Sequence, residues 1–256
     1  MIYKLDDTDK AIKLFSGWQE TIIWSCLQKV MGEIYVDDLE QPKSAMAMLG
    51  DFCFYAGVPN SELAAYKSNV CNQEFMIMIG QTNEWNFKIE SCYKEKARRV
   101  TRYAIRKEPE AFNREKLRMF VQSLPSEYTM KMIDEEMYRL CKESEWSRDL
   151  VSQYKDYGMY HKLGFGVVIL KSTELVAGAS SYASYREGIE IEIDTKEEYR
   201  RRGLATVCGA KLILECLERG LYPSWDAQNK WSVALAEKLG YHFDYEYPAY
   251  EIGDIG

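Results

Sequence analysis

Histidine is nearly absent from this chain of 256 residues: His161 and His242 are the only two, too few for an HExxH helix or a histidine-rich metal site. The seven cysteines, at 26, 53, 71, 92, 141, 208 and 216, contain no CxxC pair, which removes the common zinc and dithiol-redox motifs and leaves an odd set suited to reduced core thiols. Basic residues are not in excess either, and a formal net charge of −7 argues against nucleic-acid binding, which needs a basic face. Gly164, Phe165 and Gly166 precede a strand pattern instead of following one, so they form no dinucleotide fingerprint. No apolar run reaches membrane-spanning length, and Met1 to Lys10 is too polar and acidic for a secretory start. These absences predict a cytoplasmic protein without metal, membrane or nucleic acid among its partners, and they leave a homo-oligomer open. The length suits one large or two modest domains, each able to bury a core.

What the chain does contain is concentrated between residues 189 and 220. Ile189 to Asp194 (IEIEID) alternates isoleucine with carboxylate, the pattern of a half-buried strand. Ala205, Cys208, Gly209, Leu212, Ile213, Cys216 and Leu217 then recur at helical spacing until Gly220 supplies a stop. Between them stands Tyr199 to Ala205, reading YRRRGLA, where a strand hands over to a helix. The first helical turn has N–H groups without intrahelical partners, and the helix dipole adds roughly half a positive charge there. Gly203 lets the backbone approach an anion, small Ala205 keeps the helix start close to it, and Arg200, Arg201 and Arg202 offer charge-assisted donors. The segment reads as a pyrophosphate cradle.

A short strand candidate, Tyr222 to Asp226, follows that helix, and then NKWSVALAEKLGY from Asn229 to Tyr241. With these residues the chain resembles the GNAT superfamily of acyl-CoA-dependent N-acyltransferases. Arg200, Gly203 and Ala205 match that family's R/Q-x-x-G-x-G/A loop, while Asn229, Lys238, Leu239, Gly240 and Tyr241 match its later helical segment. The resemblance covers residues 125 to 256 and implies a mixed α/β fold of strand, two helices, hairpin, strand, loop, helix, strand and helix. Tyr128 to Ile133, Glu135 to Leu140, Trp146 to Tyr157, Phe165 to Leu170 and Leu175 to Tyr182 supply the early elements, and aromatic-rich Tyr241 to Ile252 supplies the closing strands. It also implies acetyl-CoA as co-substrate and no metal. The cofactor would be held along Ile193, Asp194 and Thr195, through Arg200, Arg201, Arg202, Gly203, Leu204, Ala205 and Thr206, and by Asn229 and Ser232.

The first half is predicted to open with an amphipathic helix over Ala11 to Val30, capped by Asp7 to Asp9 and weakened at Gly17 and Gln19. A hairpin of Gly32 to Val36 and Ala45 to Tyr55 follows, then strands at Phe75 to Ile79 and Arg99 to Ile105 around a charged connector. Residues 1 to 124 read either as a degenerate GNAT-like half or as an unrelated α+β cap walling the acceptor cleft. They lack the R/Q-x-x-G-x-G/A loop. Pro125, breaking a helical run, marks the boundary with residues 125 to 256.

In this family an amine attacks a thioester, so the protein supplies positioning, polarisation and proton handling. Glu190 and Glu192, on the strand face opposite Ile191 and Ile193, are the candidate catalytic bases, with a solvated polar strand face as the plainer alternative. Many relatives carry a tyrosine four residues before the helix-ending glycine, where it can protonate the departing thiolate; here that position is Ala236. Tyr241 falls on the wrong side of the glycine. The reading is therefore an N-acetyltransferase acting on a primary amine of a small molecule or peptide, with a non-catalytic acyl-CoA-binding or regulatory module as the alternative.

Overall fold

The computed structural model describes residues 1–68 and 75–253. In chain order the first half carries β1 (Tyr3–Lys4), α1 (Thr21–Leu27), β2 (Glu33–Val36), β3 (Ser44–Leu49), β4 (Phe52–Gly57), α2 (Ser61–Ala64), β5 (Phe75–Gly80), α3 (Asn83–Tyr93) and β6 (Ala97–Ile105). There follow α4 (Arg114–Gln122), β7 (Tyr128–Met132), α5 (Glu135–Glu143), α6 (Tyr157–Leu163), β8 (Gly166–Lys171), β9 (Glu174–Tyr185) and β10 (Gly188–Thr195). The last elements are α7 (Leu204–Glu218), β11 (Tyr222–Ser224), β12 (Asp226–Ala227), α8 (Lys230–Leu239) and β13 (Phe243–Gly253).

Packing divides the chain into one unit of Met1–Arg102 with Glu246–Gly256 and another of Tyr103–Tyr245. The change of unit falls inside β6 and β13, whereas the sequence motifs placed a boundary near residue 124. The segment between 103 and 124 goes with the second unit because α4 packs on α7, with Leu117 fully buried in the same core as Leu212 and Ile213.

In the first unit β2, β3 and β4 form an antiparallel meander, and β5 then pairs parallel to β4. β13 lies on the far side of β5, antiparallel to it, with Tyr250 opposite Met78. The strands are rich in small and thioether side chains, and β3 is buried along its whole length. Trp85, Tyr55, Met46, Met78 and Tyr250 fill the core, and the Trp85 indole donates to the Gly57 carbonyl at 2.8 Å.

Three sequence expectations change here. Ala11 to Val30 is not one helix: a 3₁₀ turn at Thr8–Ala11 and the short α1 are separated where Gly17 adopts φ +78°, which only glycine takes without strain. Ala45 to Tyr55 is two strands, turned at Gly50 and Asp51 so that Leu49 pairs with Phe52. The charged connector before β6 is the helix α3, capped by the Thr82 hydroxyl and anchored by buried Trp85 and Ile89.

The second unit repeats the same order on a five-stranded sheet, β11-β10-β9-β8-β7. β8, β9 and β10 are antiparallel, and β11 is parallel to β10 after a crossover through α7. The α7 crossover follows from its sequence, since Leu204, Val207, Cys208, Leu212, Ile213 and Cys216 are all buried against Val167, Ile169, Ile189 and Ile191. Trp146 to Tyr157, predicted helical, is a 3₁₀ turn at Glu145–Leu150 followed by turns, and α6 starts only where Asp156 accepts from the Met159 amide. Within Tyr241 to Ile252, expected to supply the closing strands, the chain forms one strand, β13, which begins only at Phe243. Cys26, Cys53, Cys92, Cys141, Cys208 and Cys216 form no disulfide with one another; Cys71 lies outside the described residues.

The α7 helix is seated closely enough to give a stability test. A Cβ on Gly209 would stand 2.8 Å from Leu239 Cδ1 and 3.1 Å from Ile193 Cδ1, so α7 meets both α8 and β10 at this glycine. Gly209→Val is expected to destabilise the protein by about 1–3 kcal/mol through overpacking. Thermal unfolding checks this, and a melting temperature equal to wild type would show that the contact relaxes freely.

Candidate active site

The central feature is a fork beside β10. Gly188, Ile189 and Glu190 pair with Tyr222, Pro223 and Ser224 of β11, and among the described residues the pairing on this side ends there. After Trp225 the chain leaves for β6, with Asp226 opposite Ala104 and Ala227 opposite Tyr103. The edge of β10 from Ile191 to Thr195 is thus turned away from a strand partner, while its other edge stays paired with β9 as far as Thr195 and Ala177. An extra residue on β9, Tyr182, shifts the register between Glu190 and Ile191, next to the fork.

Cross-strand partners share a face of the sheet. Glu190 stands opposite Ala183, Glu192 opposite Ser180 and Asp194 opposite Gly178. Ile189, Ile191 and Ile193 instead face α7. The carboxylates therefore line the other face, where Leu150 covers Gly178 closely: a Cβ there would lie 2.5 Å from Leu150 Cδ1. Beside Glu192, the Ser180 hydroxyl is hydrogen-bonded to that of buried Tyr160 at 2.8 Å. Burial raises the Asp194 carboxyl above its ordinary pKa, opposed by the Thr195 amide it accepts from at 2.6 Å and by the Arg200 charge.

At the open end of β10 the chain turns through a 3₁₀ segment, Glu197–Tyr199, into the arginine run. Arg201 has φ +61° and Gly203 φ +82°, and α7 begins at Leu204 without a side-chain cap. Two residues of positive φ ahead of a helix start without a side-chain cap leave the first-turn N–H groups of α7 available to an anion. The position of a Cβ on Gly203 has nothing within 4 Å, so the space before the helix is open.

The three arginines are not equivalent. Arg200 Nε donates to the Thr195 carbonyl at 3.1 Å and its guanidinium lies 4.0 Å from the Asp194 carboxylate. Arg202 donates to the Glu198 carbonyl at 2.9 Å and lies over the Tyr199 ring. Both brace the loop that carries them. The Arg201 side chain makes no hydrogen bond or ion pair among the described residues. Thr195 is 8% exposed, and its buried hydroxyl has no hydrogen-bond partner among those residues. A phosphorylated acyl carrier fits this set, with anion donors at the helix start, an open cradle at Gly203 and an orphaned hydroxyl where β10 ends.

Asn229 and Ser232 have local duties. Asn229 Oδ1 caps α8 by accepting from the Ser232 amide at 3.0 Å, and Ser232 Oγ accepts from the Trp225 indole at 3.0 Å, fixing the residue at which the chain leaves β10. Ala236 is fully buried. Tyr241 donates to the Pro223 carbonyl at 2.7 Å and so secures β11. Sequence reasoning passed over Tyr185 and Tyr222. Burial pushes each hydroxyl up to about 12, with the Glu190 charge among the further causes, so both stay protonated close to the fork. Strand pairing alone brings them to Glu190. His242 Nδ1 meets the Glu108 carboxylate at 2.6 Å, and among the described residues no three His, Cys, Asp or Glu side chains gather as a metal site. No helix among those residues is long and apolar enough to cross a membrane.

A forked parallel strand pair beside an uncapped crossover helix defines an acyltransferase architecture, and the comparisons with known proteins agree. The GNAT acetyltransferase family matches residues 12–250, and the chain belongs to that family. It is a GNAT-type N-acetyltransferase. It is 27% identical over 244 residues to the uncharacterized N-acetyltransferase YdfB of Bacillus subtilis, covering 91% of this chain and 90% of the relative. The crystal structure of a GCN5-related N-acetyltransferase-like protein from Streptococcus suis superposes with a TM-score of 0.90 at 47% identity, over 96% of this chain and 98% of that one. A tandem GNAT protein from the clavulanic acid biosynthesis pathway shares the fold, with a TM-score of 0.55 at 9% identity over 98% of both chains.

Proposed function

We propose that this chain moves an acetyl group from acetyl-CoA to a primary amine of a small molecule or peptide. The observation that carries the reading is the fork at Glu190, which leaves one edge of β10 turned away from strand pairing directly before the loop and uncapped helix start. When bound, acetyl-CoA supplies an activated acyl thioester. The amides at Gly203, Leu204, Ala205 and Thr206, with Arg201, hold its phosphates. The backbone of Ile193 and Thr195 and the Thr195 hydroxyl orient the pantetheine arm, and Asp194, Asn229 and Ser232 keep that wall of the site in place. Glu190, at the closed end of the fork, and Glu192 accept the amine proton. Ala236 offers no hydroxyl, so this chain has no acid at the position many relatives use.

The first unit reads as a GNAT-like half that has lost its cofactor site. It repeats the order of meander, helix and parallel strand, but β4 and β5 stay paired from Phe52 to Tyr55, and α2 has only four residues. Cofactor contacts are accordingly expected from residues after 124. The cytoplasmic assignment is supported by the six described cysteines, which form no disulfide with one another and two of which, Cys26 and Cys141, burial pushes up to about 12.

Release of free thiol from acetyl-CoA in a panel of primary amines tests the reading. Amine-dependent release is expected. Binding of acetyl-CoA without release by any amine would favour the non-catalytic binding module, for which buried Ala236 is the motivating observation.

A further inference from the structure

The closed end of the fork is tied together in a way that strand pairing does not require. Tyr185, the last residue of β9, stands opposite Gly188 of β10, and Gly188 in turn pairs with Tyr222 of β11. A Cβ on Gly188 would lie 2.7 Å from the Tyr185 hydroxyl and 2.9 Å from its ring carbon Cε1, and would also strike the Tyr222 carbonyl. The missing side chain lets the Tyr185 ring pass over β10. Its hydroxyl meets that of Ser224 on β11 at 3.4 Å, two strands across the sheet from its own. Ser224 is fully buried, and among the described residues its hydroxyl has no other hydrogen-bond partner. It is also the residue that pairs with Glu190.

Stability alone does not select such a pair. Two buried hydroxyls give up their water, and apolar groups of the same shape would fill the position at no greater cost. What the hydroxyls add is direction. A bond from β9 to β11 across β10 fixes β11 along the sheet, where a slip of one residue would move Ser224 to the face opposite Glu190. Glu190 depends on that placement, because it stands where pairing stops with Ser224 beside it on the same face. The neighbouring tyrosine hydroxyls are committed to backbone instead. Tyr222 accepts from the Glu108 amide at 2.9 Å and donates to the Arg106 carbonyl at 3.2 Å, while Tyr241 donates to the Pro223 carbonyl. Burial raises the Tyr185 hydroxyl first and the charges of Glu190 and Glu187 add to it, so Tyr185 and Glu190 are electrostatic neighbours.

We propose that Tyr185 is a positioning residue for acetyl transfer: by reaching over Gly188 to Ser224 it fixes the closed end of the fork and holds the Glu190 carboxylate where the amine arrives. The proposal rests on the acetyl-transfer reading above, with Glu190 as a base.

Steady-state acetyl transfer by the full chain to the best amine of the panel tests it, comparing Tyr185→Phe, Ser224→Ala and each combined with Glu190→Gln. Phenylalanine keeps the ring over Gly188 and removes only the hydroxyl. Tyr185→Phe is expected to lower kcat about ten- to hundredfold at neutral pH with KM for acetyl-CoA unchanged, the scale of a reacting group displaced by about 1 Å. Ser224→Ala should lose as much, and the two together no more than either. In the Glu190→Gln background Tyr185→Phe should cost almost nothing further. The deficit should narrow at alkaline pH, where the amine reaches the site already deprotonated. Thermal unfolding sets an assay temperature at which every variant is folded. A hydroxyl that served stability alone would lower the melting temperature and leave kcat and its pH profile as in the wild type. Wild-type kcat in Tyr185→Phe, or a loss that adds in full to that of Glu190→Gln, overturns this inference alone. Wild-type turnover by Glu190→Gln removes Glu190 as a base and this inference with it, and a wild-type chain that releases no thiol with any amine overturns the acetyl-transfer reading itself.

Discussion

Replacing both Glu190 and Glu192 with glutamine is expected to slow acetyl transfer to a good amine acceptor by about 10²- to 10⁴-fold at neutral pH, the usual contribution of a positioned general base. Glutamine keeps the size and much of the hydrogen bonding of glutamate, so acetyl-CoA binding should be retained. The rate should partly recover at alkaline pH, where the amine loses its proton to solvent before it binds. The single variants separate the two residues. Glu190 stands at the last paired position of the fork, whereas Glu192 lies further along the open edge, opposite Ser180. Turnover by the double variant at the wild-type rate would reduce both carboxylates to a polar strand face and shift proton transfer to water or another group.

Gly203→Glu is expected to abolish the rise in melting temperature that acetyl-CoA produces in the wild type. A ligand at a hundred times its dissociation constant contributes roughly 2.7 kcal/mol, so the wild-type shift is easily measured. The substitution acts twice. It forces a side chain onto a residue at φ +82°, and it places a carboxylate in the open space before α7, where a phosphate is expected. Gly203→Ala separates these effects, because alanine has the same backbone strain without the charge and should retain a diminished shift. A full cofactor shift in Gly203→Glu would remove the loop from the site.

Local chemistry was legible where short-range geometry decides it. Alternation marked β10, helical spacing marked α7, and Gly203 between them does adopt a left-handed conformation at the helix start. Ala11 to Val30 misled because its apolar residues keep a helical period across Gly17, where the chain turns instead. The opposite error affected α3, whose exposed charges conceal that Trp85, Asn86 and Ile89 share one buried stripe. Asn229 and Ser232 were noticed through their motif. Their bonds to a helix cap and to Trp225 depend on where β11 ends, which no local pattern reveals.

The sequence alone determined the composition class, the strand-to-helix handover at Arg200 to Ala205 and the two motifs that point to an acyltransferase, because each depends on residues within a turn or two of one another. Only the tertiary structure decided which edge of β10 is left open, since that requires β11 to stop at Ser224 and β12 to pair with β6. It also decided that Arg200 and Arg202 brace their own loop while Lys238, from a different helix, reaches Thr206. Such contacts join residues far apart in the chain, and packing free energy, not local propensity, selects them.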